Sequence, residues 1–327
     1  MDKKNARLVC ANKIRSLSQA IPDKDVANII QTKSIIAGGA ITSMLLGQPV
    51  NDFDIYFADQ ESAKKAADYF VDCFKKQKGE RLKSEIKVIA SPGRVKIFVK
   101  SSGLAVETNN PEAHDGYDVI GNPYDEEAIV DDGIGDRSLQ EVRDALQNQA
   151  DVEADQKQSS EHDRQPPLGR YRVVFLSSNA ITLKDKVQLI VRFFGTPEEI
   201  ISNFDFVHCT NFYTSWDRTL HLNQAALEST LAKKLKYVGS KYPLCSLIRL
   251  RKFIKREWTV TAGEILKIAV NLQKFNLSNA ETLEDQLAGV DAHWFNKLIE
   301  SLAKDQVSRQ SDELDMNYLV ELVDTLF

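Results

Sequence analysis

The chain has 327 residues, 43% hydrophobic and 27% charged, with 42 Lys and Arg set against 47 Asp and Glu for a net charge of −5. That composition excludes a fibrous or wholly disordered protein and is enough to bury a sizeable core spread over two domains. No apolar run reaches bilayer length, the opening Met1-Asp2-Lys3-Lys4-Asn5 lacks a signal-peptide core, and Cys10, Cys73, Cys209 and Cys245 form no C-x-x-C pair. The expectation is a cytoplasmic protein with buried free thiols, no membrane contact and no zinc ribbon.

In chain order, residues 3–20 carry Leu8, Ala11, Ile14 and Leu17 at helical spacing, and residues 23–30 read as a second helix. Ile35-Ile36-Ala37 is a short β-branched strand that ends at Gly38-Gly39, where a backbone without Cβ can turn tightly or approach a ligand. Residues 40–46 are helical in composition and are stopped by Gly47 and Pro49. Asn51-Asp52-Phe53-Asp54-Ile55-Tyr56-Phe57 then alternates as a strand, with Asp52, Asp54 and Tyr56 on one face and Phe53, Ile55 and Phe57 on the other. Two carboxylates on one strand face, two residues apart, suit a hard divalent cation that also takes phosphate oxygens; the bland alternative is a solvated strand edge.

Residues 60–76 read as a helix whose buried face holds Ala63, Ala66, Ala67, Phe70, Val71 and Phe74. Residues 85–90 and 94–100 read as strands joined at Ser91-Pro92-Gly93. From 101 to 169 the periodicity fails. Residues 107–164 hold 17 acidic and 4 basic side chains, a balance of −13 that leaves the rest of the chain at −5 − (−13) = +8. This stretch reads as a mobile acidic insertion, with a short helix at 138–146 and Tyr117, Ile120 and Tyr124 as docking points; a solvated loop is favoured over a tethered nucleic-acid mimic. The basic remainder suits a polyanion such as RNA.

Strands follow at 171–176 and 186–194. Thr196-Pro197-Glu198-Glu199 starts a short helix, and 205–211 is read as a strand beginning with Asp205. His208 is expected to be a packed histidine rather than a general base. From Leu222 the chain is helical in pattern, including residues 258–274, 280–288, 290–304 and 314–326. Arg249, Lys252 and Arg256 line one helical face, with Leu247, Leu250 and Ile254 placed toward the core. The stripe suits triphosphate or an RNA backbone, with a solvated face as the alternative.

Gly38-Gly39-Ala40-Ile41-Thr42-Ser43-Met44-Leu45-Leu46-Gly47, followed by Asp52-Phe53-Asp54-Ile55, resembles the GGAVRDxLLGxxxxDxDI head motif of the nucleotidyltransferases that include CCA-adding enzymes and bacterial poly(A) polymerases. Thr42-Ser43 replace that family's Arg-Asp pair. Residues 203–212 resemble its RRDFTINAL segment, with Asn203-Phe204 in place of the arginines, and residues 242–256 resemble its arginine-bearing neck helix. The shortened core with an acidic insert also resembles nucleotidyltransferases of tailed phages.

The resemblance implies an α+β fold: a nucleotidyltransferase-like head with a small mixed β-sheet over 1–215, then an all-helical neck and body over 216–327. It implies Mg²⁺ or Mn²⁺ on Asp52 and Asp54, with Asp205 as a third acidic group. An NTP would be held by Gly38, Gly39, Thr42, Ser43, Arg249 and Lys252, and an RNA 3′ end, tRNA-like, would accept the nucleotide. A protein or small-molecule acceptor, and a catalytically degenerate binding scaffold, are the competing readings.

Overall fold

The computed structural model describes residues 1–79, 85–100 and 169–277, together with Thr282 and Gln286. Around a seven-stranded mixed sheet in the order β5-β6-β7-β2-β1-β8-β9 are packed helices α1 (Lys3–Gln19), α2 (Lys24–Thr32), α3 (Gly39–Leu46) and α4 (Gln60–Lys78). The strands are β1 (Ser34–Ala37), β2 (Phe53–Phe57), β5 (Val173–Leu176), β6 (Ala180–Leu183), β7 (Val187–Phe194), β8 (Phe212–Thr214) and β9 (Thr219–His221); β3 (Glu85–Ser91) and β4 (Arg94–Lys100) form a separate hairpin. Only β2 and β7 pair in parallel; the other ladders of the large sheet are antiparallel. The architecture is α+β, as the sequence implied. The helices α5 (Pro197–Ile201), α6 (Gln224–Leu231), α7 (Pro243–Lys255) and α8 (Ala262–Leu272) follow in the C-terminal half.

Local chemistry explains the helix starts. Asp2, Asp23 and Asp59 each accept hydrogen bonds from first-turn amides of α1, α2 and α4, and Thr196 with Glu199 forms the expected reciprocal cap on α5. The period-two reading of β2 holds as well. Phe53, Ile55 and Phe57 enter the main core with α1, α2 and α4, whereas Tyr56 packs on the opposite face with Ile35, Ala37 and Ile200. In α1 the buried stripe is Ala6, Cys10, Ile14 and Leu17, so Leu8 and Ala11 of the expected face lie at its margin. All four cysteines are free; Cys10 and Cys245 are buried, while Cys73 and Cys209 are only half-buried.

Several expectations are corrected. Residues 205–211 are not a strand: Val207–Cys209 is a 3₁₀ turn, and pairing is reduced to one bridge between Phe206 and Tyr237. Local hydrogen bonds displace the ladder there, since Thr210 donates from both its amide and its hydroxyl to the Val207 carbonyl and Thr42 Oγ1 donates to the His208 carbonyl. Strand β6 and the β8–β9 hairpin were not foreseen. The expected helix at 258–274 spans only Ala262–Leu272, because Thr259 is held in a ladder, its amide donating to the Lys233 carbonyl and its carbonyl accepting from the Leu235 amide, before Thr261 starts the helix. On α7, Leu250 is buried, but Leu247 and Ile254 are 39% and 54% exposed, and Cys245 and Ser246 take the inward positions. A second core of Phe206, Leu235, Tyr237, Leu250, Trp258 and Ile268 joins this half to the 3₁₀ turn.

The acidic insertion, the helix at 138–146, the docking points Tyr117, Ile120 and Tyr124, and the helices at 290–304 and 314–326 lie outside the described residues, as does most of 280–288. Gln286 is described: it is buried, its side-chain amide donates to the Lys241 carbonyl, and its carbonyl accepts from Cys245 Sγ. Among the described residues, no helix is long and apolar enough to cross a membrane.

Candidate active site

Adjacent antiparallel strands bring the diglycine turn onto the second aspartate. Ala37 is the register partner of Asp54, so the chain leaving β1 turns directly beside that carboxylate. Gly38 makes the turn at φ 90° and ψ −151°, a region open only to glycine, and its amide donates to the Cys209 carbonyl at 3.2 Å. A Cβ at Gly38 would stand 3.1 Å from Asp54 Oδ2. Gly38 therefore serves two needs, a backbone angle and room for a carboxylate. As the N-cap of α3 it brings no side-chain hydrogen bond to the first-turn amides of that helix.

Asp54 is half-buried and Asp52 is exposed at the mouth of β2. Loss of hydration, then the charge of Asp52, push the Asp54 carboxyl up to about 7, against the pull of Arg249 and Lys252. The basic residues of α7 thus reach the acidic pair electrostatically. Arg249 itself is fixed by Asp205: its Nη1 donates to Asp205 Oδ2 at 2.7 Å, and the carboxylate is only 7% exposed. Although burial opposes the charge on Arg249, Asp205 outweighs it and raises the guanidinium's proton affinity further. Asp205 is pinned in turn from the backbone, where Val238 N donates to its carbonyl.

Of the residues singled out in the sequence, Gly38, Asp52, Asp54, Arg249 and Lys252 converge here, Gly39 opens α3 beside them, and Asp205 stands behind Arg249. Thr42 and Ser43 are buried in the packing of α3: Thr42 Oγ1 donates to the His208 carbonyl at 2.7 Å, and Ser43 Oγ accepts from Arg256 Nη2 at 3.2 Å. Arg256, expected on the basic stripe, also donates to Gln48 Oε1 at 2.6 Å and so braces α3 against the end of α7. His208 is buried as expected. Its ring lies 4.4 Å from Trp258 and 4.7 Å from Phe253, and burial lowers its pKa to about 4. It has neither the exposure nor the basicity of a general base.

Among the described residues, no three His, Cys, Asp or Glu side chains form a ready-made metal cage. The acidic pair nevertheless fits Mg²⁺ or Mn²⁺, which commonly bind through one or two carboxylates and complete their shell with water and substrate phosphate. The Asp54 carboxylate, turned into the space that Gly38 leaves open, is the observation supporting that fit. Sequence reasoning missed Gln188, the in-register neighbour of Asp54 on β7, because nothing in the sequence announces a parallel pairing across so long a separation.

Comparison with known proteins places the chain. Residues 8–233, well over half of it, match a single family. The chain belongs to the Gabija anti-defense 2 family. The Gabija anti-defense 2 protein of Bacillus phage SPbetaL7 is 27% identical over 117 residues, taking in 35% of this chain and 29% of that relative. The chain thus matches under a third of its family relative's length. Solved structures similar to it include a Thermotoga maritima CCA-adding enzyme complexed with tRNA, at TM-score 0.39 and 11% identity, covering 93% of this chain and 54% of that one. Others are a tRNA-processing enzyme with CTP, at TM-score 0.36 and 11% identity over 80% and 50% of the two chains, and a tRNA-processing enzyme in its apo form, at TM-score 0.36 and 12% identity over 94% and 67%. Likenesses at these scores are too distant to carry a functional argument.

Proposed function

We propose that this member of the Gabija anti-defense 2 family is a divalent-metal-dependent nucleotidyltransferase that moves an NMP unit from an NTP to an acceptor hydroxyl, with an RNA 3′ end as the first choice of acceptor. The observation that carries the reading is the packing of Gly38 against Asp54 beside Asp52, with the uncapped start of α3 and the cations of α7 on the same site. Asp52 and Asp54 would hold Mg²⁺ or Mn²⁺, which supplies charge neutralisation to the triphosphate and the departing pyrophosphate when bound. The α3 amides and Lys252 take phosphate oxygens, and Arg249, oriented by Asp205, meets the charge that builds up on them. The acceptor oxygen forms a bond to the α-phosphorus, the bridge to the β-phosphate breaks, pyrophosphate leaves with that electron pair, and the acceptor proton passes to solvent. Positioning and charge neutralisation account for the acceleration.

A second acceptor is favoured by one observation, the family's description as counteracting Gabija defence. On that reading the nucleotide is transferred to a protein of the Gabija system. One experiment tests both. Purified protein is incubated with each α-labelled NTP and Mg²⁺ or Mn²⁺, in parallel with total RNA and with purified Gabija proteins, beside an Asp52→Asn/Asp54→Asn control. Label on RNA that disappears in the control supports the first reading, and label on a Gabija protein supports the second. No label on either acceptor overturns the transferase reading.

A further inference from the structure

The end of β7 and the approach to α7 build a cluster that the site above does not use. Arg192 lies with its guanidinium carbon 4.8 Å from the centre of the Tyr242 ring and 5.6 Å from that of Phe193, and Lys241 Nζ stands 5.8 Å over the Phe193 ring. Arg192, Phe193 and Tyr242 are half-buried and Lys241 is exposed, so the cluster reaches the surface with its cations set against its rings. An irregularity in β7 produces this arrangement: the amides of Val191 and Arg192 both donate to the Asn179 carbonyl, and the register with β2 shifts between Ile55 and Phe57. Val191 still alternates with Val187 and Leu189 into the main core, and the shift beyond it turns Phe193 to the Tyr56 face of the sheet. Glu199, a carboxylate close in sequence, is turned back onto the Thr196 amide.

The cluster lies beside the acidic pair by two independent routes. Along β7, Arg192 is four residues beyond Gln188, the register partner of Asp54, a separation of about 13 Å at most. Tyr242 caps the start of α7 and Arg249 lies seven residues on, about 10 Å along the axis. An aromatic ring flanked by cations takes a base on its face and a phosphate at its edge, and every base offers such a face.

We propose that Arg192, Phe193, Lys241 and Tyr242 form a stacking platform for single-stranded polynucleotide, which delivers the end of that strand toward Asp52 and Asp54. This deepens the transferase reading and rests on it for the direction of the strand. Rings supply sequence-tolerant stacking, and Arg192 and Lys241 supply backbone neutralisation.

The test is fluorescence anisotropy with a labelled single-stranded RNA of about 12 nucleotides, in chelator so that metal and NTP contribute nothing. Tyr242→Leu and Phe193→Leu are expected to weaken binding about tenfold or more each. Lys241→Gln, at an exposed side chain that the fold does not need, is expected to reduce the slope of log affinity against log salt by about 0.7. Unchanged affinity and slope in all three variants, or equal binding of an RNA duplex, overturns the platform. The Asp52→Asn/Asp54→Asn protein keeps the platform intact. Loss of its Mn²⁺-dependent NTP binding with RNA binding retained speaks for two separable sites, whereas wild-type NTP binding in that variant sinks the transferase reading and leaves the platform standing.

Discussion

Replacing Gly38 with Ala probes backbone and site together. At φ 90° and ψ −151°, a residue with a Cβ is strained by about 1–3 kcal/mol, offset by about 0.4–1 kcal/mol from the less flexible unfolded chain. The new methyl also meets Asp54 Oδ2 at 3.1 Å, so the carboxylate must give by a few tenths of an ångström. The expected net loss is about 1–2 kcal/mol in urea unfolding, accompanied by weaker Mn²⁺ binding in a calorimetric titration, because the displaced carboxylate is one of the two proposed to hold the metal. Gly39→Ala is the matched control: its Cβ would meet nothing within 4 Å, so both readouts should stay near wild type. If Gly38→Ala left stability and Mn²⁺ affinity unchanged, or if Gly39→Ala cost as much, the account of the turn as a slot shaped around Asp54 would be wrong.

Other outcomes follow from the same geometry. Arg249→Met strips Asp205 of its partner while the carboxylate stays buried; since Arg249 is itself 41% exposed, the expected cost is about 2 kcal/mol, discounted from that of a fully buried pair. Adding Asp205→Asn should recover part of that loss in a double-mutant cycle, and strict additivity would count against the coupling. For His208, the unfolded ring takes its proton near pH 6.5 and the folded ring near pH 4, so the unfolded state binds more protons in between. Stability is therefore full above about pH 6.5 and declines toward pH 4 by about 3 kcal/mol; His208→Phe should flatten that part of the urea-midpoint profile. Arg256→Ala removes the donors to Ser43 and Gln48, and a loss of about 1–2 kcal/mol is expected in thermal or urea unfolding.

What the sequence made legible is what depends on short range. The cap of α5, the glycine turn and the alternation of β2 are each written within a few residues, and each was readable; the caps at Asp2, Asp23 and Asp59 are as local, but of these only the helices they start were read. The stretch 205–211 was not, because Val207, His208 and Thr210 have strand composition, yet the Val207 carbonyl is claimed by Thr210 and the His208 carbonyl by Thr42 from a distant helix. The inward face of α7 was misplaced for a related reason. Leu247 and Ile254 have core composition, but the partner surface of Phe206, Tyr237 and Trp258 lies under Leu250 and Phe253. At the candidate site, motif spacing placed Gly38 near Asp54 correctly, since one antiparallel pairing joins them. It gave no hint that Arg249 would be held by Asp205, or that Thr42 and Ser43 would face the packing, because those contacts depend on how the two halves of the chain meet.

The wiring of the sheet has a consequence for how this protein can change over time. Both strands of the glycine and aspartate motif, β1 and β2, have their outer neighbours, β8 and β7, in the part of the chain after residue 169. The motif is thus completed only when distant segments return, and the entropy of closing that loop grows with the logarithm of its length, about 0.6 kcal/mol per doubling. A change in the length of chain between β4 and β5 should accordingly cost little, provided the strands on either side still meet. Two fragments, 1–100 and 169–327, should likewise assemble when expressed together and fail to fold alone. Sequence can therefore drift at that junction while the sheet stays fixed.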